Sequence, residues 1–200
     1  MALKDVLIDE LRDLYSAENQ LVKALPKLAK GAKSPELKTL FTAHLEETKE
    51  QVFRLKKVFE IFDEKPTGEH CNGMEGVIEE GADALEKDEE GASFDSGIVG
   101  AALRTEHYEI AGYTAAIAMA KVLGLDGVTS LLTESLNEEL AAAEMILAVG
   151  QPILEAAAQE PQEEEGPKTG KEKYSEKKSK DDEKKADPEL RRRPAKASGR

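Results

Sequence analysis

Apolar residues recur at intervals of three and four along most of the chain, which is the spacing of an amphipathic helix. In the first such stretch, leucines keep this spacing from Leu7 to Leu28, and Ser34 followed by Pro35 is typical of a helix start. Four long helices are predicted, at about residues 2–30, 35–62, 98–123 and 126–150.

The connections between these helices predict how they pack. The links at residues 31–34 and 124–126 are short, and a short link makes consecutive helices antiparallel neighbours. Residues 63–93 form a long crossover, in which a short amphipathic helix is predicted at about residues 72–87. The pattern therefore predicts an all-α protein, an antiparallel four-helix bundle with a long crossover that carries a short extra helix.

The inward face of each long helix is interrupted near its middle by acidic residues. Each stands where the periodicity calls for an apolar side chain, and burying a carboxylate is costly unless it is paired or binds a metal ion. His44 lies one helical turn before Glu47 on the same face, so both side chains can reach a common point. The acids at these positions are Glu18, Glu47, Glu106 with Glu109, and Glu138 or Glu139.

Two interpretations of these acids are open. An isolated pair such as Glu106 and Glu109 is explained equally well by exposure to solvent. Acids in the middle of all four helices, however, meet at one level of a bundle, where two divalent cations are the simplest relief of their repulsion. Oxygen ligands with one imidazole suit iron or manganese better than zinc. The sequence thus predicts a site for two divalent metal ions, iron or manganese.

Four segments of the sequence resemble motifs of a known family, the YciF-like bacterial stress proteins (DUF892), which belong to the ferritin-like superfamily. The segments are Ala17–Leu21, His44–Thr48, Met74–Glu80 and Glu106–Ala111. The resemblance extends from about Leu3 to Val149. It implies a ferritin-like bundle that forms a homodimer, a two-metal centre and a link to stress responses, in a family whose biochemical activity is poorly defined.

The resemblance also implies ligands, and the sequence departs from the usual pattern there. The positions that match ligand positions of ferritin-like proteins are Glu18, His44, Glu47, Glu106 and Glu109. Common di-iron bundles have Glu-x-x-His on the second and fourth helices. Here the second helix has the reverse order, and alanine stands three residues after both Glu138 and Glu139. We expect such a site to bind metal more weakly or to leave one metal position short of a ligand. His107 faces away from the inward stripe, and we expect it beside the site or at an interface.

The composition indicates the cellular compartment in which the protein is expected. Cys71 is the only cysteine, so no intramolecular disulfide can form and a reducing compartment is natural. No second Cys/His pair exists to complete a zinc site with His70 and Cys71. The first residues do not resemble a signal peptide, and no apolar run approaches the ~18 residues of a membrane span. We expect a cytoplasmic protein with no membrane partner.

Charge divides the chain into two parts. Residues 159–200 contain 13 Lys/Arg and 11 Asp/Glu and almost nothing to bury, which predicts a disordered charged tail. The whole chain has a net charge of −13, which leaves −15 on the predicted bundle domain, residues 1–158. A bundle domain with this net negative charge repels nucleic acid and attracts metal cations.

Three functions are compatible with these observations. The first is a di-metal oxidoreductase that reacts with peroxide or oxygen, and the second is a protein that binds or sequesters metal without turnover. The third is a structural or interaction module whose acids pair with lysine or arginine. The third is disfavoured because the inward faces offer no such partner opposite the glutamates, with Arg104 and Lys121 only at the margin of the third helix.

Overall fold

A computed structural model describes residues 1–67, 69–86 and 91–160. The described residues form five α-helices and no strand. The helices are α1 (Leu3–Gly31), α2 (Pro35–Ile61), α3 (Asn72–Glu86), α4 (Ala92–Val122) and α5 (Asp126–Ala157). The predicted all-α architecture, with four long helices and a short one in the crossover, is confirmed.

The four long helices pack as two antiparallel pairs. α1 packs against α2 and α4 against α5, and further contacts join α1 to α4 and α2 to α5. α3 lies against α1 and α4. The turn between α1 and α2 is fixed by side chains: Ser34 Oγ accepts hydrogen bonds from the backbone N–H groups of Glu36 and Leu37, and the Asp95 carboxylate accepts those of Lys33 and Ser34. The start of α2 is thus held by its own cap and by α4.

The core consists of two apolar clusters, one at each end of the bundle. The first joins the N-terminal halves of α1 and α5 to the C-terminal halves of α2 and α4, and its largest fully buried members are Leu7, Leu11, Leu14, Leu55, Phe59, Tyr113 and Leu132. The second joins the opposite halves and α3, with Leu21, Leu37, Phe41, Met74 and Ile98 among its members. Because the C-terminal halves of α2 and α4 contribute to the same cluster, these two helices run parallel. The long crossover connects them in this orientation. Polar residues fill the level between the clusters.

The start of α4 and the end of α5 differ from the sequence prediction. α4 begins at Ala92, six residues earlier than predicted, because the Glu160 carboxylate accepts hydrogen bonds from Ala92 N (2.6 Å), Ser93 N (3.1 Å) and Ser93 Oγ (2.5 Å). A carboxylate at a helix N-terminus satisfies free N–H groups and complements the helix dipole. α5 begins at Asp126, as predicted, but it continues through Pro152 to Ala157, seven residues beyond the predicted end at about residue 150.

Two sequence predictions fall on residues outside the described ranges. The predicted disorder of the tail concerns residues 161–200, and the predicted end of the crossover helix at Lys87 lies in the gap at 87–90. The domain boundary at residue 158 stays a prediction, although Glu160 already contacts the bundle through α4.

α5 is unusually apolar for a helix of this bundle. Among the described helices it alone meets the length and composition of a membrane span, with a mean hydropathy of 1.4 in its most apolar window. The sequence predicted no membrane span because it contains no uninterrupted apolar run of about 18 residues. That criterion is stricter than the mean hydropathy of a window, which α5 satisfies. Part of this composition serves the core, where α5 packs on α4 and α2. The remainder is exposed: Leu140, Leu147 and Leu154 face outward at intervals of seven residues.

Candidate metal centre

Five ionisable side chains from four helices lie buried between the two apolar clusters. α1 contributes Glu18, α2 contributes His44, α4 contributes Glu106 and Glu109, and α5 contributes Glu139. None of these residues is more than 3% exposed. The helices position them there because each occupies an inward position that is otherwise apolar along its helix.

Four of these residues converge closely. One ligand atom from each of His44, Glu106, Glu109 and Glu139 lies within 4.8 Å of the corresponding atoms of the other three. His44 Nε2 is 3.3 Å from Glu106 Oε2 and 3.8 Å from Glu139 Oε2. Groups at these separations can bind one cation together, and Glu18, buried on the neighbouring helix, extends the set of acids.

Many oxygen and nitrogen atoms of this cluster lack a hydrogen-bond partner among the described residues. A buried polar group without a partner costs about 1–3 kcal/mol, and native proteins contain few of them. Here six of the eight such atoms among the described residues belong to the cluster: Glu18 Oε2, both carboxylate oxygens of Glu109, Glu139 Oε2, and His44 Nε2 and Glu106 Oε2, which lie at ion-pair distance from each other but are not hydrogen-bonded. Carboxylate oxygens with one imidazole nitrogen are the donor set of iron and manganese sites. The residues therefore fit a metal centre.

Burial and mutual repulsion shift the pKa values of these acids upward. Burial raises the pKa of Glu18 to about 8, although the hydrogen bond from the Tyr113 hydroxyl opposes the shift. Burial and the neighbouring carboxylates raise the pKa of Glu109 and of Glu139 well above the usual value. Without a cation, the site therefore relieves its repulsion by holding protons.

His44 is the cationic member of the metal-free cluster. Its burial lowers its pKa, but the carboxylates of Glu106 and Glu47 outweigh that effect and raise the pKa of His44 to about 11. A metal ion at Nε2 requires the neutral ring, so a cation and this proton exclude one another.

Glu47 lies on the outer side of His44. Its side chain is 42% exposed, and its Oε2 is 3.3 Å from His44 Nδ1, the ring nitrogen that faces away from the cluster. A carboxylate in this position fixes the orientation of the ring and makes the opposite nitrogen a better ligand. The sequence grouped Glu47 with the ligands, whereas the structure places it where it orients His44.

The structure distinguishes Glu138 from Glu139, which the sequence could not. Glu139 is fully buried in the cluster and accepts a hydrogen bond from the Gln51 side chain. Glu138 is partly exposed and forms a bidentate ion pair with Arg54, which also donates to Ser135. Arg54 is thus a cation opposite one of the glutamates, where the sequence predicted none. The available signal was its position one helical turn after Gln51, on the edge of the inward face.

The remaining motif residues lie around the centre. The Tyr113 hydroxyl donates to Glu18 from the first apolar cluster, while His107 is exposed and contacts the Leu103 carbonyl through Nδ1. Cys71 is buried in the second cluster, and its sulfur lies 3.0 Å from the Tyr108 hydroxyl and 3.1 Å from Asp13 Oδ2.

Comparisons with known proteins give the same relatives for sequence and fold. A family described as a domain of unknown function, DUF892, matches residues 2–159. The chain is 41% identical to Protein YciF of Escherichia coli K12 over 140 residues, which covers 70% of this chain and 84% of that protein.

Solved structures of similar proteins agree. The crystal structure of the E. coli stress protein YciF is similar with a TM-score of 0.75 at 37% identity, covering 78% of this chain and 98% of that one. YcfI of Rhodopseudomonas palustris, for which a structural role has been suggested, is similar with a TM-score of 0.71 at 41% identity, covering 73% and 93%. A protein of Xanthomonas campestris shares the fold with a TM-score of 0.61 at 23% identity, covering 78% and 96%.

Proposed function

The chain belongs to the DUF892 family, and from this membership and the geometry of the site we propose that it is a stress-response protein that binds two divalent ions, iron or manganese, inside its helical bundle. The observation that carries the proposal is the group of buried carboxylate and imidazole atoms without hydrogen-bond partners. A bundle interior gains nothing from such atoms unless a cation binds to them.

Charge balance supports two ions rather than one. The buried carboxylates of Glu18, Glu106, Glu109 and Glu139 carry four negative charges when ionised, and His44 is then the neutral ligand. Two divalent ions neutralise these charges, whereas one leaves two uncompensated charges in a medium of low dielectric constant. Ferritin-like bundles bind two ions in this way.

Each side chain has a role that its contacts support. Glu106, Glu109, Glu139 and His44 hold the ions, with Glu18 completing the set from α1. Glu47 orients the His44 ring, and the Tyr113 hydroxyl fixes one oxygen of Glu18. The apolar clusters above and below exclude water. Iron or manganese bound by these residues would supply the electrons for the reduction of peroxide or oxygen.

Two other functions remain as alternatives to this redox role. A protein with the same ions but no turnover sequesters metal. The other alternative is a structural or interaction module, and the structural role suggested for YcfI favours it. The ion pair of Arg54 with Glu138 shows that one acid of the inward region is neutralised by a side chain, but the cluster around Glu139 contains no arginine or lysine among the described residues.

The metal content of the purified protein tests the proposal. The wild type, loaded anaerobically with Fe(II) or Mn(II) and desalted, should retain about two ions per chain by elemental analysis. Glu18→Ala should retain about one ion or none, because a buried ligand is lost. Glu46→Ala is the matched control, since Glu46 lies on α2 with an exposed side chain and pairs with Lys49 at the surface.

The outcomes separate the three functions. A wild type that retains neither metal contradicts the proposal, and the structural or interaction module is then the remaining function. If the protein retains metal but does not consume added hydrogen peroxide, metal sequestration is the remaining function. If the buried acids served only to repel one another, Glu18→Ala would raise the melting temperature of a protein that never binds metal.

A further inference from the structure

Gln51 is a fully buried amide next to the candidate metal centre. It lies on the inward face of α2, seven residues after His44, and its exposed fraction is 0%. Its Nε2 donates hydrogen bonds to Glu139 Oε1 and, over 3.1 Å, to Glu138 Oε2. Its Oε1 has no hydrogen-bond partner among the described residues. The donor end of the amide is therefore satisfied, and the acceptor end is not.

Arg54 fixes the orientation of this amide. Its guanidinium donates to Glu138 Oε2 over 2.7 Å, so that oxygen is an acceptor, and the atom of Gln51 that faces it must be the donor Nε2. The reverse orientation would place the amide oxygen 3.1 Å from an acceptor oxygen. Gln51 Oε1 is thus the atom turned away from Glu138.

The nearest donors along α2 do not serve Gln51 Oε1. Thr48 lies three residues before Gln51, and its hydroxyl donates to the His44 carbonyl over 2.8 Å. Arg54 lies three residues after Gln51, and its guanidinium donates to two side chains of α5. An amide oxygen that is buried without a donor is costly, and a cation can take the place of that donor. Carbonyl and carboxylate oxygens are both ligands that suit manganese.

The candidate centre is one ligand residue short of the usual set. Sites for two ions in ferritin-like bundles are built from four glutamates and two histidines. Among the described residues, four glutamates and one histidine are buried. Alanine stands three residues after Glu139, where the second histidine of that pattern would lie. Gln51 contacts Glu139 directly, so its free oxygen is in place to complete the set.

An amide ligand adds no charge to the centre. Two divalent ions already balance the four buried carboxylates. A glutamate at position 51 would add a fifth negative charge next to Glu138 and Glu139, whereas glutamine supplies an oxygen ligand and keeps the balance. The residue type at this position thus agrees with a neutral oxygen ligand.

We propose that Gln51 is a ligand residue of the metal centre: Oε1 binds an ion that Glu139 also binds, and Nε2 holds the Glu139 carboxylate in place. The inference rests on the proposed function, because it requires ions inside the bundle. It gives these ions five side chains with oxygen ligands and one with a nitrogen ligand, a set that suits manganese.

The Mn(II) affinity of the full-length protein, measured by competition with a chelator of known affinity, tests this assignment. Gln51→Met keeps the length of the side chain but removes both amide atoms, and it should weaken the binding of at least one ion by about tenfold or more. Gln20→Met is the matched control. Gln20 is a half-buried glutamine on α1 that donates to Ser16 Oγ and to the Cys71 carbonyl, so this variant should bind Mn(II) like the wild type.

Gln51→Glu separates the role of Oε1 from that of Nε2. A glutamate keeps an oxygen at this place and loses the hydrogen-bond donor. If Oε1 binds an ion, Gln51→Glu should retain both ions and bind Mn(II) at least about tenfold more tightly than Gln51→Met. If Gln51 only held Glu139 through Nε2, both variants would lose the same affinity.

The position of the ion gives a direct readout that needs no variant. In crystals of the Mn(II)-loaded wild type, an anomalous peak should lie about 2.0–2.6 Å from Gln51 Oε1, the range for oxygen ligands of divalent cations. The same ion should contact a carboxylate oxygen of Glu139.

Three results overturn the inference: Gln51→Met binds Mn(II) like the wild type, Gln51→Met and Gln51→Glu lose equal affinity, or the anomalous peak lies beyond the reach of Oε1. In a protein that retains two ions, any of these results contradicts only the role of Gln51. A wild type that retains neither iron nor manganese contradicts the proposed function itself, and this inference with it.

Discussion

Glu138 and Glu139 are adjacent on α5 but have opposite surroundings. Glu139 is fully buried beside His44, whereas Glu138 is paired with Arg54. Glu139→Gln should therefore lower the retained metal to about one ion per chain or fewer, while Glu138→Gln should leave it unchanged. Elemental analysis of the two variants, prepared side by side, makes the comparison. Equal loss of metal in both would show that Arg54 does not keep Glu138 out of the site.

The orienting role of Glu47 predicts a smaller effect. Glu47→Ala should weaken metal binding by about 10–100-fold without abolishing it, as is typical when a carboxylate that holds a metal-binding histidine is removed. Competition with a chelator of known affinity measures this change. Complete loss of metal would instead make Glu47 a direct ligand, as its position in the sequence motif implied.

The raised pKa values predict how the metal-free protein responds to pH. Burial raises the pKa of Glu18 to about 8, and neighbouring carboxylates raise that of His44 to about 11. Between pH 5 and 8 the folded protein thus binds more protons than the unfolded chain, and its stability should fall as pH rises. Bound metal replaces these protons, so the stabilisation by metal should increase with pH.

Melting temperatures at pH 5, 6.5 and 8, with and without metal, test this pair of trends. In Glu18→Gln the decline of the metal-free protein should be shallower, because one of the titrating groups is gone. A metal-free wild type whose melting temperature rises from pH 5 to 8 would contradict the burial of ionisable acids.

At the residue scale, helical periodicity identified most residues of the site, but it could not distinguish which of two adjacent acids belongs to it. Glu18, Glu106 and Glu109 each replace an apolar residue on an inward stripe, and all three lie in the interior. Glu138 and Glu139 both lie near the middle of their stripe, and the partner that separates them, Arg54, belongs to another helix. Periodicity along one helix contains no information about a partner 84 residues away.

At the scale of elements, the helices followed from the sequence except at the start of α4 and at the end of α5, which continues past Pro152 to Ala157. α1 and α2 start and end within one or two residues of their predicted bounds. The early start of α4 depends on Glu160, which lies 67 residues beyond Ser93 in the chain. Local capping rules cannot detect a cap that is supplied from the far end of another helix.

Glu160 also predicts where the chain can be shortened. A protein ending at Glu160 keeps the cap of α4 and should melt at the same temperature as the full chain. A protein ending at Ala158 loses the three hydrogen bonds to Ala92 and Ser93 and should melt about 2–4 °C lower. Differential scanning calorimetry of the two truncations decides the matter. Identical melting temperatures would show that the cap contributes nothing in solution.

At the scale of the whole molecule, we predict a homodimer that forms through the outer face of α5. Leu140, Leu147 and Leu154 are 43–53% exposed and recur every seven residues, the spacing of a helix–helix seam. We predict that Leu147→Glu dissociates the dimer in sedimentation equilibrium, whereas Val122→Glu, an exposed apolar position on α4, does not. A monomeric wild type would contradict this prediction.

The division of the core into two clusters has a consequence for the cooperativity of unfolding. Each end of the bundle has its own apolar cluster, and the ionisable level between them is the part that bound ions would join. With metal, the two ends should open together, and the slowest amides of both should exchange hydrogen with one common free energy. Without metal the ends should open separately, with different exchange rates for amides around Leu55 and around Phe41. The ions would then determine whether the bundle behaves as one folding unit or as two.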